Sequence, residues 1–348
     1  MKIALICQFE QGTAEHVLTV GRSEALKAMG HATRLVEHPF KHGQGKPLPI
    51  VYLAATAFLR CLALRWWSPR VVFVQKLLPL GLIYVAFLRL MGLKTVAIAD
   101  DWEGVGGFAT LRNRGWFGLM LVTAAEEAMA RLSTHLWAVS LPLAARWPRA
   151  LYYPNGGRLS SMKPYQKPYL YRVCYVGTLK DPRVVEILSA IAKESQMWSM
   201  DLRIVGGGPL LHDMIERCAG MHSVSVLGQL PPVGAAEVML GSHVGLLYLS
   251  HDSMMVDVSR SSTKLFEYMA AGCVPVCSAV GEPINIIEHG KTGLLVPENT
   301  PEAFCKAITR LMHEVGLYDV MSNAAQELYH ARYAHTVVMD RILRRVVP

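Results

Sequence analysis

The stretch that most constrains this chain is residues 259–282, Ser-Arg-Ser-Ser-Thr-Lys-Leu-Phe-Glu-Tyr-Met-Ala-Ala-Gly-Cys-Val-Pro-Val-Cys-Ser-Ala-Val-Gly-Glu. It reads as a polar loop leading into a short helix, a stop at Gly272, a buried strand and a turn at Gly281. Ser261, Ser262 and Thr263 are the N-cap candidates, because a short hydroxyl side chain can accept from the first free amides of a helix. Those amides and the helix dipole favour an anion, so the start of the helix can hold a phosphate. Lys264 adds a full positive charge in the same turn, with Leu265 beside it. Glu267, one turn further on, can accept two hydrogen bonds from a vicinal diol such as a ribose. A diphosphate, a sugar ring and a carboxylate in this order point to a nucleotide-sugar site.

The segment resembles the donor-binding signature of the retaining family-4 (group 1) glycosyltransferases, which have the GT-B fold. The residues that carry the resemblance are Lys264, Glu267, Met269, Ala270, Gly272, Pro275, Val276 and Gly281, followed by Gly293-Leu294-Leu295-Val296. Without the resemblance, the same residues read as an ordinary helix–strand pair of a Rossmann-like domain. One departure stands out. The family commonly has a glutamate eight positions before Glu267, in contact with the donor sugar, and this chain has Ser259 there, with Asp252 and Asp257 nearby. That puts the identity of the sugar in doubt more than the existence of a donor site.

A chain of 348 residues with 52% hydrophobic residues suits two domains with sizeable cores. Its seven cysteines show no paired metal spacing, as expected of a reduced, cytoplasmic protein. Residues 1–150 carry 17 Lys and Arg against 9 Asp and Glu, whereas residues 171–348 carry 15 against 18. Between Glu37 and Asp100 there is no acidic residue, only basic ones among long apolar runs that include Trp66 and Trp67. Two readings are open: an anionic membrane surface approached through residues 38–99, placing the protein peripherally on the inner face of the plasma membrane, or a core helix and buried strand with a few solvated cations. The run from Val71 to Leu93 is interrupted by Gln75, Lys76, Pro79 and Arg89, so it divides into a strand and a helix rather than one membrane span.

Short apolar runs alternate with helical segments along both halves, an α/β pattern. Strands are expected at 2–8, 32–36, 71–75, 94–99 and 135–139, with helices at 14–29, 50–66, 80–91 and 116–132. A Pro- and Tyr-rich linker follows at 151–170. The pattern restarts with strands at 172–176, 202–205, 224–227, 244–248, 274–277 and 293–296, and ends in helices at 301–315 and about 319–346. The expected architecture is two Rossmann-like, doubly wound domains facing a central cleft, residues 1–150 on the acceptor side and 171–325 on the nucleotide-sugar side. The resemblance implies that residues 326–348 form a helix crossing back toward the first domain.

Several turns carry further candidates. Gly177, Thr178, Lys180 and Arg183 follow the first strand of the second domain. The resemblance gives Arg183 contact with the donor diphosphate, while Thr178 replaces an arginine and removes one charge, for which Lys180 can compensate. Positive charge there matters because negative charge grows on the leaving diphosphate, and the resemblance implies that no metal is needed. Gly206, Gly207, Gly208 and Pro209, and then Gly228, Gln229 and Leu230, match turns that lie near the base in the family, although each is equally an ordinary turn. In the first domain Gly12 and Thr13 open a helix after the first strand, where the resemblance implies donor contact, a glycine letting the backbone approach the diphosphate or acceptor. His16 lies one turn further in and reads more readily as an ordinary helix residue than as an acceptor contact. Asp100, Asp101, Trp102 and Glu103 follow the strand at 94–99, where ligands bind in open α/β sheets. Either aspartate can orient or deprotonate an acceptor hydroxyl, Trp102 and Glu103 can contact the acceptor, and Gly106 and Gly107 allow the loop to move. The plain alternative is an acidic surface loop.

These features predict transfer of a sugar from a UDP- or GDP-linked donor to an acceptor hydroxyl, and the resemblance implies that it is retaining and metal-independent. The acceptor would be a lipid-linked sugar or a soluble metabolite, with no cofactor beyond the donor and no nucleic acid. The alternatives are a GT-B sugar-nucleotide epimerase or hydrolase, and a non-catalytic protein that binds nucleotide sugars or a lipid surface.

Overall fold

The computed structural model describes residues 1–11, 13–38, 50–107, 115–158, 167–250 and 260–347. Gly12, Asp252, Asp257 and Ser259, singled out above, lie outside the described residues. The chain forms two compact units. The first is Met1–Asn155 with Ser253–Ser261 and His335–Pro348, and the second is Gly156–Asp252 with Ser262–Ala334.

The first unit is built on a six-stranded parallel sheet of β1 (Lys2–Cys7), β2 (Ala32–Glu37), β3 (Val71–Gln75), β4 (Thr95–Ala99), β5 (His135–Ala138) and β6 (Leu151–Tyr152), in the order β2-β1-β3-β4-β5-β6. β3 and β4 are buried at every position, as expected of parallel strands covered on both faces. Helices α1 (Ala14–Ala28), α2 (Ile50–Trp67), α3 (Pro79–Leu90), α4 (Gly115–Leu132) and α5 (Leu141–Arg146) connect the strands. The apolar run beginning at Val71 does divide into a strand and a helix. β6 lies inside the stretch expected to be linker: Leu151 and Tyr152 pair with Trp137 and Ala138.

The second unit repeats the plan with β7 (Tyr171–Val176), β8 (Met200–Val205), β9 (Val224–Gly228), β10 (Val244–Leu247), β11 (Val274–Ser278) and β12 (Leu294–Val296), in the order β12-β11-β10-β7-β8-β9. Helices α6 (Pro182–Met197), α7 (Leu211–Arg217), α8 (Pro232–Leu240), α9 (Thr263–Ala270), α10 (Pro283–Ile286), α11 (Pro301–His313) and α12 (Leu317–Leu328) complete it. The single helix expected over 319–346 is instead broken. α12 passes into a π-helical turn at Tyr329–Tyr333, Ala334 is extended, and α13 (His335–Val346) starts afresh as part of the first unit. The break is held by Gly157, whose amide donates to the Tyr333 carbonyl and whose carbonyl accepts from the Tyr329 hydroxyl at 2.8 Å.

Each sheet has a point where the strand order reverses, between β1 and β3 and between β7 and β10. Loops leaving those strands diverge there, which makes it the usual ligand position in open α/β sheets. The second reversal is pinned by Tyr268 of α9. Its fully buried hydroxyl accepts from the Val176 amide at 2.9 Å and donates to the Leu246 carbonyl at 3.2 Å. Gly245 makes the space, since a Cβ there would stand 2.3 Å from the Tyr268 ring. Tyr268→Phe keeps the ring and leaves both main-chain partners buried and unsatisfied. It is expected to cost about 1–3 kcal/mol, read from urea denaturation.

Candidate functional site

In the second unit, the turns after β7, β8 and β9 interlock through the main chain. The Gly177 amide donates to the Val205 carbonyl, the Leu179 amide to the Gly207 carbonyl, and the Gly206 amide to the Gly228 carbonyl. A Cβ at Gly206 would fall 1.8 Å from the Gly177 oxygen, and one at Gly208 would fall 2.5 Å from the Leu179 oxygen. Both residues also have a positive φ. These two glycines therefore answer to a neighbouring turn, whether or not a ligand also approaches. Thr178, Lys180, Pro209 and Gln229 are exposed around this framework, with Leu230 half-buried.

Asp181 caps α6 by accepting from the Arg183 amide at 2.9 Å, which leaves the Arg183 side chain exposed at the helix start. Tyr248, one residue past β10, is its neighbour: burial raises the Tyr248 hydroxyl, and Arg183 and Ser250 oppose the shift. α9 begins with Ser262 at the N-cap position, and the Ser262 side chain makes no capping hydrogen bond. Thr263, Lys264 and Leu265 form the first turn, with Leu265 buried in the core. Glu267 follows, its carboxylate mostly buried and 3.5 Å from the Arg158 guanidinium. Burial raises the Glu267 carboxyl, and Arg158 and then Lys264 oppose the rise. A mostly buried carboxylate beside two cations and a helix start can bind a diol and a diphosphate together.

Ser261 is a correction to the expected cap. It belongs to the first unit, where its hydroxyl accepts from the Asn155 amide at 3.0 Å and its carbonyl accepts from the Asn155 side chain at 3.1 Å. The Asn155 oxygen in turn accepts from Arg22 at 2.6 Å, and Arg22 pairs with Asp100 at 3.0 Å. Asp100 is thus a buried carboxylate paired with Arg22. Burial raises its pKa and Arg22 opposes the rise.

The acidic loop after β4 is tightly held. The Lys76 ammonium, 6% exposed, stands 2.7 Å from Asp101, 3.2 Å from Glu103 and 3.2 Å from Glu15. Burial alone would lower the Lys76 pKa, but Asp101, Glu103 and Glu15 outweigh it and raise it. Arg260 approaches the other face of Asp101 at 3.6 Å. The buried Glu126 of α4 accepts from the Glu103 and Gly104 amides at 3.0 and 3.2 Å, and Arg146 backs it at 2.8 Å. Arg146 also covers the Trp102 ring at 4.4 Å, so one face of that ring is already occupied. The expected freedom of the Gly106–Gly107 turn gives way to close packing: a Cβ at Gly107 would stand 2.0 Å from the Trp102 oxygen. Thr13 caps α1, accepting from the His16 amide, and His16 pairs with Glu37 at 2.6 Å.

Lys76, Arg22, Arg158 and Glu126 were not singled out from sequence. Lys76 carried one usable signal, its place directly after a buried strand. Arg158 follows Gly156-Gly157 in a stretch that read as linker.

The model of the family described as "Glycosyl transferases group 1" matches residues 171–314. Among curated proteins, the chain is 24% identical over 168 residues to an uncharacterized glycosyltransferase of Methanocaldococcus jannaschii, covering 47% of this chain and 41% of that one. It is 31% identical over 168 residues to an exopolysaccharide phosphotransferase of Streptomyces coelicolor, covering 46% of this chain and 17% of that one. The matches thus span less than half the length of either relative. Among solved structures, a sucrose-phosphate synthase from Thermosynechococcus elongatus superposes with a TM-score of 0.71 at 17% identity, covering 99% of this chain and 98% of that one. Anabaena HepE, solved in complex with UDP, gives 0.71 at 13% identity and covers 99% of both chains. The fold is GT-B.

Two outcomes follow from the first unit. Lys76→Met strands buried carboxylates without their cation and is expected to cost about 3–5 kcal/mol in urea denaturation. Burial also pushes the Glu126 carboxyl from 4.5 up to about 7, against the Glu103 amide and Arg146. The folded chain then holds that proton more tightly than the unfolded chain, so this contribution to stability falls as pH rises from about 4.5 to about 7, by about 3 kcal/mol in all. Glu126→Gln is expected to flatten the fall, measured as urea stability on either side of that window.

Proposed function

We propose that this protein transfers a sugar from a nucleoside-diphosphate sugar to an acceptor hydroxyl, with retention at the anomeric carbon and without a metal. The observation that carries the reading is the start of α9. A helix N-terminus at which Ser262 makes no capping hydrogen bond, Lys264 and a mostly buried Glu267 follow one another within two turns, in a segment that matches the group 1 glycosyl transferases. In this reading Glu267 accepts from the ribose hydroxyls. Lys264, the first turn of α9 and Arg183 hold the diphosphate, and their charge stabilises the leaving group as the glycosidic bond breaks. The turns at Gly206–Pro209 and Gly228–Leu230 border the base. A uridine donor is favoured, since HepE of the same fold was solved with UDP. Asp101, held by Lys76, orients the acceptor hydroxyl as a hydrogen-bond acceptor, and its ion pair argues against a role as base.

The test is a thermal-shift screen with UDP, GDP, ADP, dTDP and their common sugars, on wild type and Glu267→Ala. Ligand at a hundred times its Kd stabilises by about 2.7 kcal/mol, a clear shift. The expected outcome is a shift with one nucleotide that is lost in Glu267→Ala. No shift with any nucleotide, with or without candidate acceptors, would sink the donor-site assignment. Consumption of the nucleotide sugar in the absence of any acceptor would point instead to an epimerase or hydrolase.

A further inference from the structure

Helix α2 breaks the rule that an apolar helix is a buried helix. Its eighteen residues, Ile50–Trp67, have a mean hydropathy of 1.3, enough in length and composition to cross a membrane, yet only 22% of them are buried. The buried ones are Leu53, Ala57, Cys61 and Leu64, a single narrow stripe that joins the core of the first unit. The opposite side carries Leu59 and Trp66, 62% and 91% exposed. A helix that is apolar all round normally has something on each side of it.

α2 packs on α3, and α3 packs on α4. Right-handed crossovers running in one direction from β2 to β5 place all three helices on one face of the sheet. Leu90 at the end of α3 is 84% exposed and extends the apolar surface over the same layer. The charges of the layer have one sign. Arg65, Arg89 and Arg131 stand in the last turns of α2, α3 and α4, so they line one end of it. Arg70 and Lys94 lie in the loops that follow α2 and α3. The sequence between Glu37 and Asp100 contains no acid, and the two acids of α4 are engaged: Glu126 is buried and Glu127 is paired with Arg146.

We infer that this face docks on an anionic lipid bilayer, with α2 lying in the interface and the arginines at the helix ends meeting the headgroups. Charge selects this occupant. A second copy of the chain would bring its own arginines against these, whereas anionic headgroups neutralise them, and exposed tryptophan suits the boundary between headgroup and acyl chain. The stripe anchored in the core keeps α2 lying on the membrane instead of crossing it. The inference is independent of the transferase reading.

The experiment is co-sedimentation of the full chain with phosphatidylcholine vesicles and with mixed phosphatidylcholine–phosphatidylglycerol vesicles, at low and high salt, with light scattering of the free protein. Wild type is expected to bind the mixed vesicles and to release as salt rises. Arg65→Gln with Arg89→Gln is expected to weaken that binding by about fivefold for each cation removed. Leu59→Glu with Trp66→Glu is expected to abolish it while the unfolding temperature stays close to wild type, since both side chains are exposed. Failure of wild type to bind mixed vesicles, or binding that neither pair of substitutions changes, overturns the proposal. So does a dimer in free solution that Leu59→Glu with Trp66→Glu dissociates, which would make the face an interface between copies.

Discussion

A lysine ammonium taken out of water needs compensation from every side, and Lys76 finds it in three carboxylates from two places in the chain. Glu15 comes from the first turn of α1, while Asp101 and Glu103 come from the loop after β4. The backbone of Lys76 adopts a positive φ of 61°, a conformation that a side chain other than glycine's tolerates only when its surroundings hold it. Three ion pairs at one nitrogen supply that restraint. They also fasten together the loops leaving β3 and β4 and the helix that follows β1. The point where the first sheet reverses is therefore built around one cation, and the shape of the acidic loop depends on it.

The second unit reaches the same end with main-chain chemistry. Its turns after β7, β8 and β9 hydrogen-bond to one another through backbone groups, and glycines at 206 and 208 are what allow the turns to come so close. Tyr268 then closes the gap between β7 and β10 from α9. The helix carrying Lys264 and Glu267 is thereby fixed to the sheet by a side chain adjacent in sequence to the proposed ribose ligand. A rigid scaffold of this kind matters because recognition of a diol and a diphosphate is sensitive to small displacements.

How much of this was legible depended on the range of the interaction. The β3–α3 division of the run after Val71 and the helix stop at Gly272 are local, set by residues a few positions apart, and sequence patterns reach that far. The break at Tyr329–Tyr333 was not legible, because it is held by Gly157, 172 residues away. The same holds for Ser261. Its hydroxyl suits a helix cap, but Asn155 in the first unit takes it. The loop at Asp100–Glu103 read as free carboxylates because its neutralising cations, Arg22 and Lys76, lie on other elements. Residue types announced the chemistry, and only the fold showed which charges were already spent.

That distinction bears on how the two sets of acids divide their work. Asp100, Asp101 and Glu103 each face a basic side chain within 3.2 Å, an arrangement that fixes their position. Glu267 is different. Its partner Arg158 stands at 3.5 Å, and burial raises its pKa in spite of two nearby cations. Its carboxylate therefore gains from hydrogen-bond donors such as the hydroxyls of a ribose, which replace part of the lost solvation. Thr178 removes one cation that the family pattern supplies, and the charge left near the proposed diphosphate comes from Lys264 and Arg183, with Lys180 exposed on the neighbouring turn. Lys264 and Arg183 reach that position from the first turns of two different helices, α9 and α6. The helix dipoles thus add to the side-chain charges where negative charge would build up, so the loss of a cation at Thr178 is compatible with the proposed chemistry.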